Sequence, residues 1–207
     1  MTNIGEFSAN GYGMALISTD LFTEYLKEKK CRAKKLLSYF DKNKDFFLSS
    51  IKDGKFLPFY QISAFEYSIF ISINEQNPEI PQDYNEVFRY NNFFLEVGAL
   101  ERICLASFDY LEYHLENIKQ NITDKEDEIP SGAESILEKY YPARGFDLPK
   151  GIYEFDLIAL ERKVKLERES KNYAYVFIFR KNNNAKNDNF EKADNDKYKF
   201  DIISHKK

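Results

Sequence analysis

The chain has no tryptophan, two cysteines, two histidines, six prolines and eight glycines in 207 residues. Each scarcity removes a class of explanation. Cys31 and Cys104 form no C-x-x-C pair, so a redox relay or a cysteine zinc site has nothing to build on. Two reduced thiols in a reducing compartment are expected instead. His205 lies at the C-terminal end and reads as frayed, and His114 reads as a core or boundary residue on the inner side of a helix. No His, Cys, Asp and Glu residues recur at metal-ligand spacing. There is no G-x-S-x-G and no G-x-x-x-x-G-K-[ST], and Gly5, Gly11 and Gly13 have the wrong spacing for a dinucleotide loop. Among 34 acidic residues no catalytic pair stands out. The expectation is therefore no catalytic residue, no metal and no cofactor. No segment approaches the roughly 20 apolar residues of a membrane span. Met1–Glu6 lacks the basic start of a signal peptide, and Met14–Ile17 is too short for its apolar stretch. These features predict a soluble cytoplasmic protein, and the richness in Lys, Asn, Ile, Phe and Tyr suits a bacterial source.

What is abundant is phenylalanine and tyrosine, 19 and 15 residues. Both favour pleated, half-buried surfaces. The length fits one domain over 1–207, large enough to fold without disulfides or metal. The net charge of −4 is unevenly spread. Residues 1–42 carry seven basic against five acidic side chains, 43–150 ten against nineteen, and 151–207 thirteen against ten. A nucleic-acid binder usually shows a basic stripe, so the acidic middle argues against nucleic acid and for a basic protein partner or simple solubility.

The predicted fold class is α+β, predominantly antiparallel β as a sandwich or partly open barrel, with an N-terminal helical segment and one or two further short helices. Residues 1–18 are weakly patterned, with room for one short strand. Thr19 or Asp20 caps a helix whose inner face is Leu21, Phe22, Tyr25 and Leu26. A second helical piece runs over Arg32–Phe40, and the lysines around it read as its solvated face. Phe46–Ile51 and Phe56–Ile62 flank Asp53-Gly54, the signature of a hairpin. Pro58 pushes the second of these strands to an edge. Phe65–Asn74 alternates most clearly, as expected for an antiparallel strand with one wet face. Strands are expected at Glu86–Tyr90, Phe93–Val97 and Leu100–Ser107, the last with a composition that also suits a helix, with a helix at Tyr110–Gln120, an exposed acidic loop at Thr123–Pro130 and a short helix at Ala133–Tyr141. Ile152–Glu161 and Tyr173–Phe179 are strands, the latter central, joined by a charged connection over Arg162–Lys171. Residues 181–197, rich in Asn, Asp and Lys, predict a mobile loop, and Tyr198–Ile203 a last strand.

Two surface features invite a partner. Asp124, Glu126, Asp127 and Glu128 would form an acidic patch that steers a basic protein. Tyr140, Tyr141 and Arg144 have the composition of an interface hot spot in a loop. The stretch Pro149-Lys150-Gly151-Ile152-Tyr153-Glu154-Phe155-Asp156-Leu157, followed by Tyr173-Ala174-Tyr175-Val176-Phe177, resembles β-rich immunity proteins of bacterial toxin systems and nuclease inhibitors of the competence type. The resemblance covers about 35 residues by this reading of the strand pattern. It implies a non-catalytic inhibitor that binds a cognate protein toxin, and it transfers no functional residue. The alternative is a small-molecule-binding or enzymatic β domain, and a homodimer through an exposed strand edge is a third expectation.

Overall fold

Runs of alternating or wholly apolar side chains build strands, and among the described residues the computed structural model arranges ten of them into two five-stranded sheets that do not close into a barrel. It describes residues 1–75, 78–131, 136–189, 192 and 198–205. The first sheet has the order β1 (Thr2–Ser8), β4 (Glu66–Ile73), β10 (Tyr173–Lys181), β9 (Gly151–Arg162) and β5 (Tyr84–Val97). The second has the order β3 (Phe56–Tyr60), β2 (Gly13–Ser18), β6 (Arg102–Ser107), β8 (Ile136–Asp147) and β7 (Lys125–Ser131). Among the described residues, helices between strands are α1 (Thr19–Glu28), α2 (Leu36–Lys42), α3 (Lys44–Lys52), α4 (Phe108–Tyr113) and α5 (Leu115–Lys119). The α+β class stands.

The sheets face one another across a core of aromatic rings. Phe59 of β3 meets Phe177 of β10 and Phe93 of β5 with ring centroids 6.2 and 5.8 Å apart, and Phe146 of β8 meets Phe179 at 5.6 Å. Such offset and edge contacts add about 0.5–1.5 kcal/mol per pair beyond area burial. Tyr153, Phe155, Leu157 and Ala159 share the inner face of β9, as their spacing predicts. β10 is the middle strand, as its unbroken apolar run suggests. Its other face joins Ile158, Leu160, Ala174, Val176 and Ile178 in a second cluster beneath Phe70, Ile80 and Tyr84. β2 is buried at every position because one face meets the first sheet and the helices cover the other. At Gly13 a Cβ would stand 2.4 Å from the Phe108 ring, so only glycine lets α4 lie this close to β2.

The structure corrects several expectations. Residues 1–18 hold two strands. Phe46–Ile51 is α3, not a strand. Gly54, at φ +66°, follows the Asp53 C-cap and closes a Schellman turn: its N–H bonds to Ile51 O (3.0 Å) and Lys55 N–H to Ser50 O (3.3 Å). β4 is antiparallel to β1 but parallel to β10. The strands at 86–90 and 93–97 are one strand, β5, with register shifts between Glu86 and Phe88 and between Tyr90 and Phe93. The helical stretch 110–120 breaks at His114, which is exposed and stacks on Tyr110 at 5.1 Å. The acidic segment 123–130 is not a loop: from Lys125 it is strand β7, paired with β8. The predicted helix at 133–141 lies partly outside the described residues, and its remainder, from Ile136, belongs to β8. Tyr198–Phe200 is irregular, leading to a 3-10 turn at Ile203–His205, with Phe200 and Ile202 buried. His205 is not frayed. Its ring lies 4.6 Å from that of Phe88, and Nε2 lies 2.8 Å from Lys199 O.

Sheet edges are finished by side chains. Pro58 removes a donor from β3 and charges line β7. β5 is closed by the segment expected to be mobile, of which 190, 191 and 193–197 lie outside the described residues. Asn189, fully buried, accepts from Phe94 N–H (2.8 Å) and donates to Phe94 O (2.7 Å), so one amide substitutes for a neighbouring strand. Lys192 Nζ donates to Asn92 O (2.5 Å).

Candidate functional site

The helices of the second sheet's outer face shape a cleft of about 600 Å³. α2 and α3 supply Leu37, Phe40, Phe47 and Leu48, and Phe108 and Tyr60 continue the apolar wall. The rings interlock: Phe40 and Phe47 lie 5.0 Å apart, Phe47 and Tyr60 6.4 Å, and Tyr60 and Phe108 5.2 Å. Asp41, Lys44 and Gln61 place polar groups on this wall. Apolar lining with a few polar groups is the usual make-up of a binding cleft.

The walls are fixed from outside. α2 has no capping side chain of its own, and Glu112 of α4 takes that role: its Oε2 accepts from Leu37 N–H (2.8 Å) and Ser38 N–H (3.2 Å), and Oε1 accepts from Ser38 Oγ. α3 is tied to α1 by Tyr25, whose hydroxyl donates to Phe46 O (2.7 Å) and bonds Ser49 Oγ.

The lip is a tight turn, with Gly11 and Tyr12 between the bridged Asn10 and Gly13. Tyr12 and Gln61 both adopt left-handed backbone, at φ +62° and +58°. Ile62 N–H bonds to Tyr12 O (3.3 Å), which joins the two segments. A bulky residue at positive φ is a true outlier, costing on the order of 1–3 kcal/mol. Tyr12 is nonetheless 80% exposed, so burial does not compensate it.

The sequence-predicted acidic patch has a different character. Asp124 Oδ2 lies 2.5 Å from Arg102 NH2, and Gly145 N–H bonds its Oδ1 (3.1 Å). Glu126 pairs with Lys139 (2.7 Å) and Asp127 with Lys125 (2.6 Å). Glu128 stands opposite Lys139 in the register. The patch is an edge strand whose charges are largely answered within the sheet. Tyr140, Tyr141 and Arg144 lie on a strand, β8, rather than a loop. Tyr140 Oη accepts from Asn10 Nδ2 (2.9 Å), and burial raises its pKa while bonds to Ser107 and Asn10 oppose the rise. Arg144 lies 4.0 Å over the Tyr141 ring and donates from Nε to Glu6 O (2.5 Å), fastening β1 to β8. These three knit the sheets together. None of the seven lines the aromatic cleft; Tyr140 lines a separate hollow of about 130 Å³ with Asn10, Phe65, Glu66, Glu138 and Arg168.

Glu66 adjoins that hollow. Its Oε2 is buried without a hydrogen bond, with Lys171 Nζ at 3.6 Å and Arg168 NH2 at 3.8 Å. Burial raises its pKa, opposed first by Lys171, reinforced by Glu6 and opposed again by Arg168. Arg168 is 2.6 Å from Glu138 and Lys171 3.7 Å from Glu6, so two cations are shared among three carboxylates. Among the described residues no three His, Cys, Asp or Glu side chains gather as metal ligands would. No helix among them is long and apolar enough to cross a membrane. Both cysteines are free, Cys31 half-buried and Cys104 buried.

Sequence reasoning missed the cleft because five separate segments build it. The one local signal was Gly11-Tyr12-Gly13, a tyrosine between two glycines at a turn. No family model matches the chain, and no curated protein or solved structure matches it either.

Proposed function

We propose that the protein is a non-catalytic inhibitor of the immunity type, binding a cognate protein toxin and blocking it sterically, with the aromatic cleft as its contact surface. The observation that carries this reading is Tyr12, exposed on the lip in a conformation the fold must hold against its preference. The tight Gly11-Tyr12 turn between the bridged Asn10 and Gly13 fixes the backbone that presents this ring, which lowers the entropy lost on binding. Tyrosine beside a desolvated apolar recess is the usual composition of an interface hot spot. The ion pairs along β7 assign the acidic residues a lesser part, because screened surface pairs contribute little long-range field.

Co-expression tests the reading. The tagged protein is produced with the product of the adjacent gene, and growth and co-elution are scored. The expected result is a toxic neighbour, rescue by this chain and a stable complex. Tyr12→Ala should weaken that complex about 30-fold, the equivalent of a 2 kcal/mol hot spot. A harmless neighbour that does not co-elute refutes the reading. The alternative, a small apolar ligand, is favoured by the cleft volume, which lies within the range of ligand pockets. A ligand that binds only the folded state would raise Tm in a thermal-shift screen.

A further inference from the structure

Charge on the surface is distributed differently from charge along the sequence. From Lys27 to Lys44 there are eight basic residues against Glu28 and Asp41, a net +6, so the rest of the chain carries −10 to give the total of −4. Six of the eight, Lys27, Lys29, Lys30, Arg32, Lys34 and Lys35, are exposed and lie on the last turn of α1 and the connection into α2. Among the described residues none of these six has an ion-pair partner, although cations elsewhere repeatedly do. Lys29 and Lys35 lie over the Tyr25 and Tyr113 rings at 5.7 and 5.1 Å, which orients them without cancelling their charge. Glu112 reaches this region, but its oxygens are engaged by Leu37 and Ser38. The connection runs directly into α2, whose Leu37 and Phe40 form the cleft wall, where Asp41 and Lys44 add one charge of each sign, so the net positive charge sits on the connection itself.

We infer that the α1–α2 connection and the adjoining cleft together receive an acidic protein segment, with an apolar side chain in the cleft and flanking carboxylates on the lysines. This rests on the protein-binding reading above and reverses the polarity that the acidic stretch of the sequence suggests. Unpaired exposed cations keep their long-range field and steer an anionic surface, whereas the β7 carboxylates spend theirs on neighbouring lysines. An apolar recess beside the cations supplies an anchor that charge alone lacks. A protein segment suits the site better than nucleic acid, because the −10 carried by the remainder repels an extended polyanion.

The test uses the full chain and a fluorescein-labelled peptide, Asp-Glu-Glu-Phe-Asp-Glu-Glu, read by fluorescence anisotropy. Controls are the same peptide with Ala for Phe, one with Lys for every acidic residue, and a single-stranded thymidine oligonucleotide. Binding of the acidic peptide is expected, at least tenfold tighter than its Ala version, and weakening as salt rises from about 50 to about 500 mM. The triple variant Lys30→Glu, Arg32→Glu, Lys34→Glu, with an unchanged circular dichroism spectrum and Tm, should lose at least tenfold. No binding, binding indifferent to these substitutions, or a preference for the lysine peptide overturns the inference, as does tighter binding of the oligonucleotide. The two proposals fail separately. A toxin complex that persists in the triple variant removes the inference and leaves the inhibitor reading, whereas peptide binding without toxin rescue does the reverse.

Discussion

Replacing Asn189 by alanine deletes both hydrogen bonds that close β5 at Phe94 and leaves that residue's N–H and C=O without their partner. A buried backbone group left unsatisfied costs about 1–3 kcal/mol. Two groups are involved, but they lie at a sheet edge where water can enter once the side chain is gone. The expected loss is therefore about 2–3 kcal/mol, a sum at the low end of that range. For a chain of this size each kcal/mol lowers Tm by about 2–4 °C, so the melt should fall by about 5–10 °C. Urea unfolding should show a lower midpoint at an unchanged m-value, because the exposed surface is the same. Asn189→Asp refines the test. The carboxylate can still accept from Phe94 N–H, but it faces Phe94 O, which only a protonated acid can satisfy. Its folded pKa must then exceed its unfolded one. Stability is fully present below the unfolded pKa and is lost as pH rises through the folded pKa. The aspartate variant should thus be weakest at neutral pH and recover on acidification. A loss below about 0.5 kcal/mol for Asn189→Ala, the ordinary range of surface substitutions, with a flat pH response for Asn189→Asp would refute the edge-closing role.

Three further outcomes are expected. Glu66 has a raised pKa, so the stability it contributes is fully present below the ordinary value of 4.5 and fades as pH rises through its folded value. Glu66→Gln should melt at least as high as the parent at pH 8, and the gap should close towards pH 4, as calorimetry across that range would read. Tyr12→Asn relieves left-handed strain, since asparagine tolerates that region, and should raise stability by about 0.5–1 kcal/mol in urea while weakening partner binding. Cys104 is buried, and burial pushes its thiol pKa far up; iodoacetamide should label Cys31 alone in the folded protein and both thiols in urea, as intact mass will show.

Local pattern carried the reading where burial follows one face of one element. Tyr173–Phe179 reads as central because every side chain is apolar, and both of its faces are indeed covered. Pro58 places β3 at an edge for a chemical reason that needs no context. The reading failed where one signal serves two structures. Asp53-Gly54 suits a hairpin and a helix C-terminus equally, and the interlocked packing of Phe40, Phe46 and Phe47 selects the helix. Residues 125–130 are charged because they form an edge strand, and an exposed loop carries the same charge density. The candidate site was less legible still. Over residues 1–42 the basic connection is largely offset by Glu6, Asp20 and Glu24, which precede it in the sequence. The left-handed backbone of Tyr12 leaves no mark in composition.

The parallel contact between β4 and β10 has a consequence for how the chain is made. β10 lies between β4 and β9, yet about a hundred residues separate it from β4 in the sequence. During synthesis the β1–β4 pair emerges first and the β5–β9 pair much later, each with an unsatisfied flank. Neither half can join the other until the last quarter of the chain arrives and fills the gap. Such long-range closure makes folding slow, and it leaves sticky intermediates exposed in the meantime. A nascent chain stalled before Tyr173 should therefore bind chaperones and resist compaction, while one extended past Lys181 acquires protease resistance in a single step.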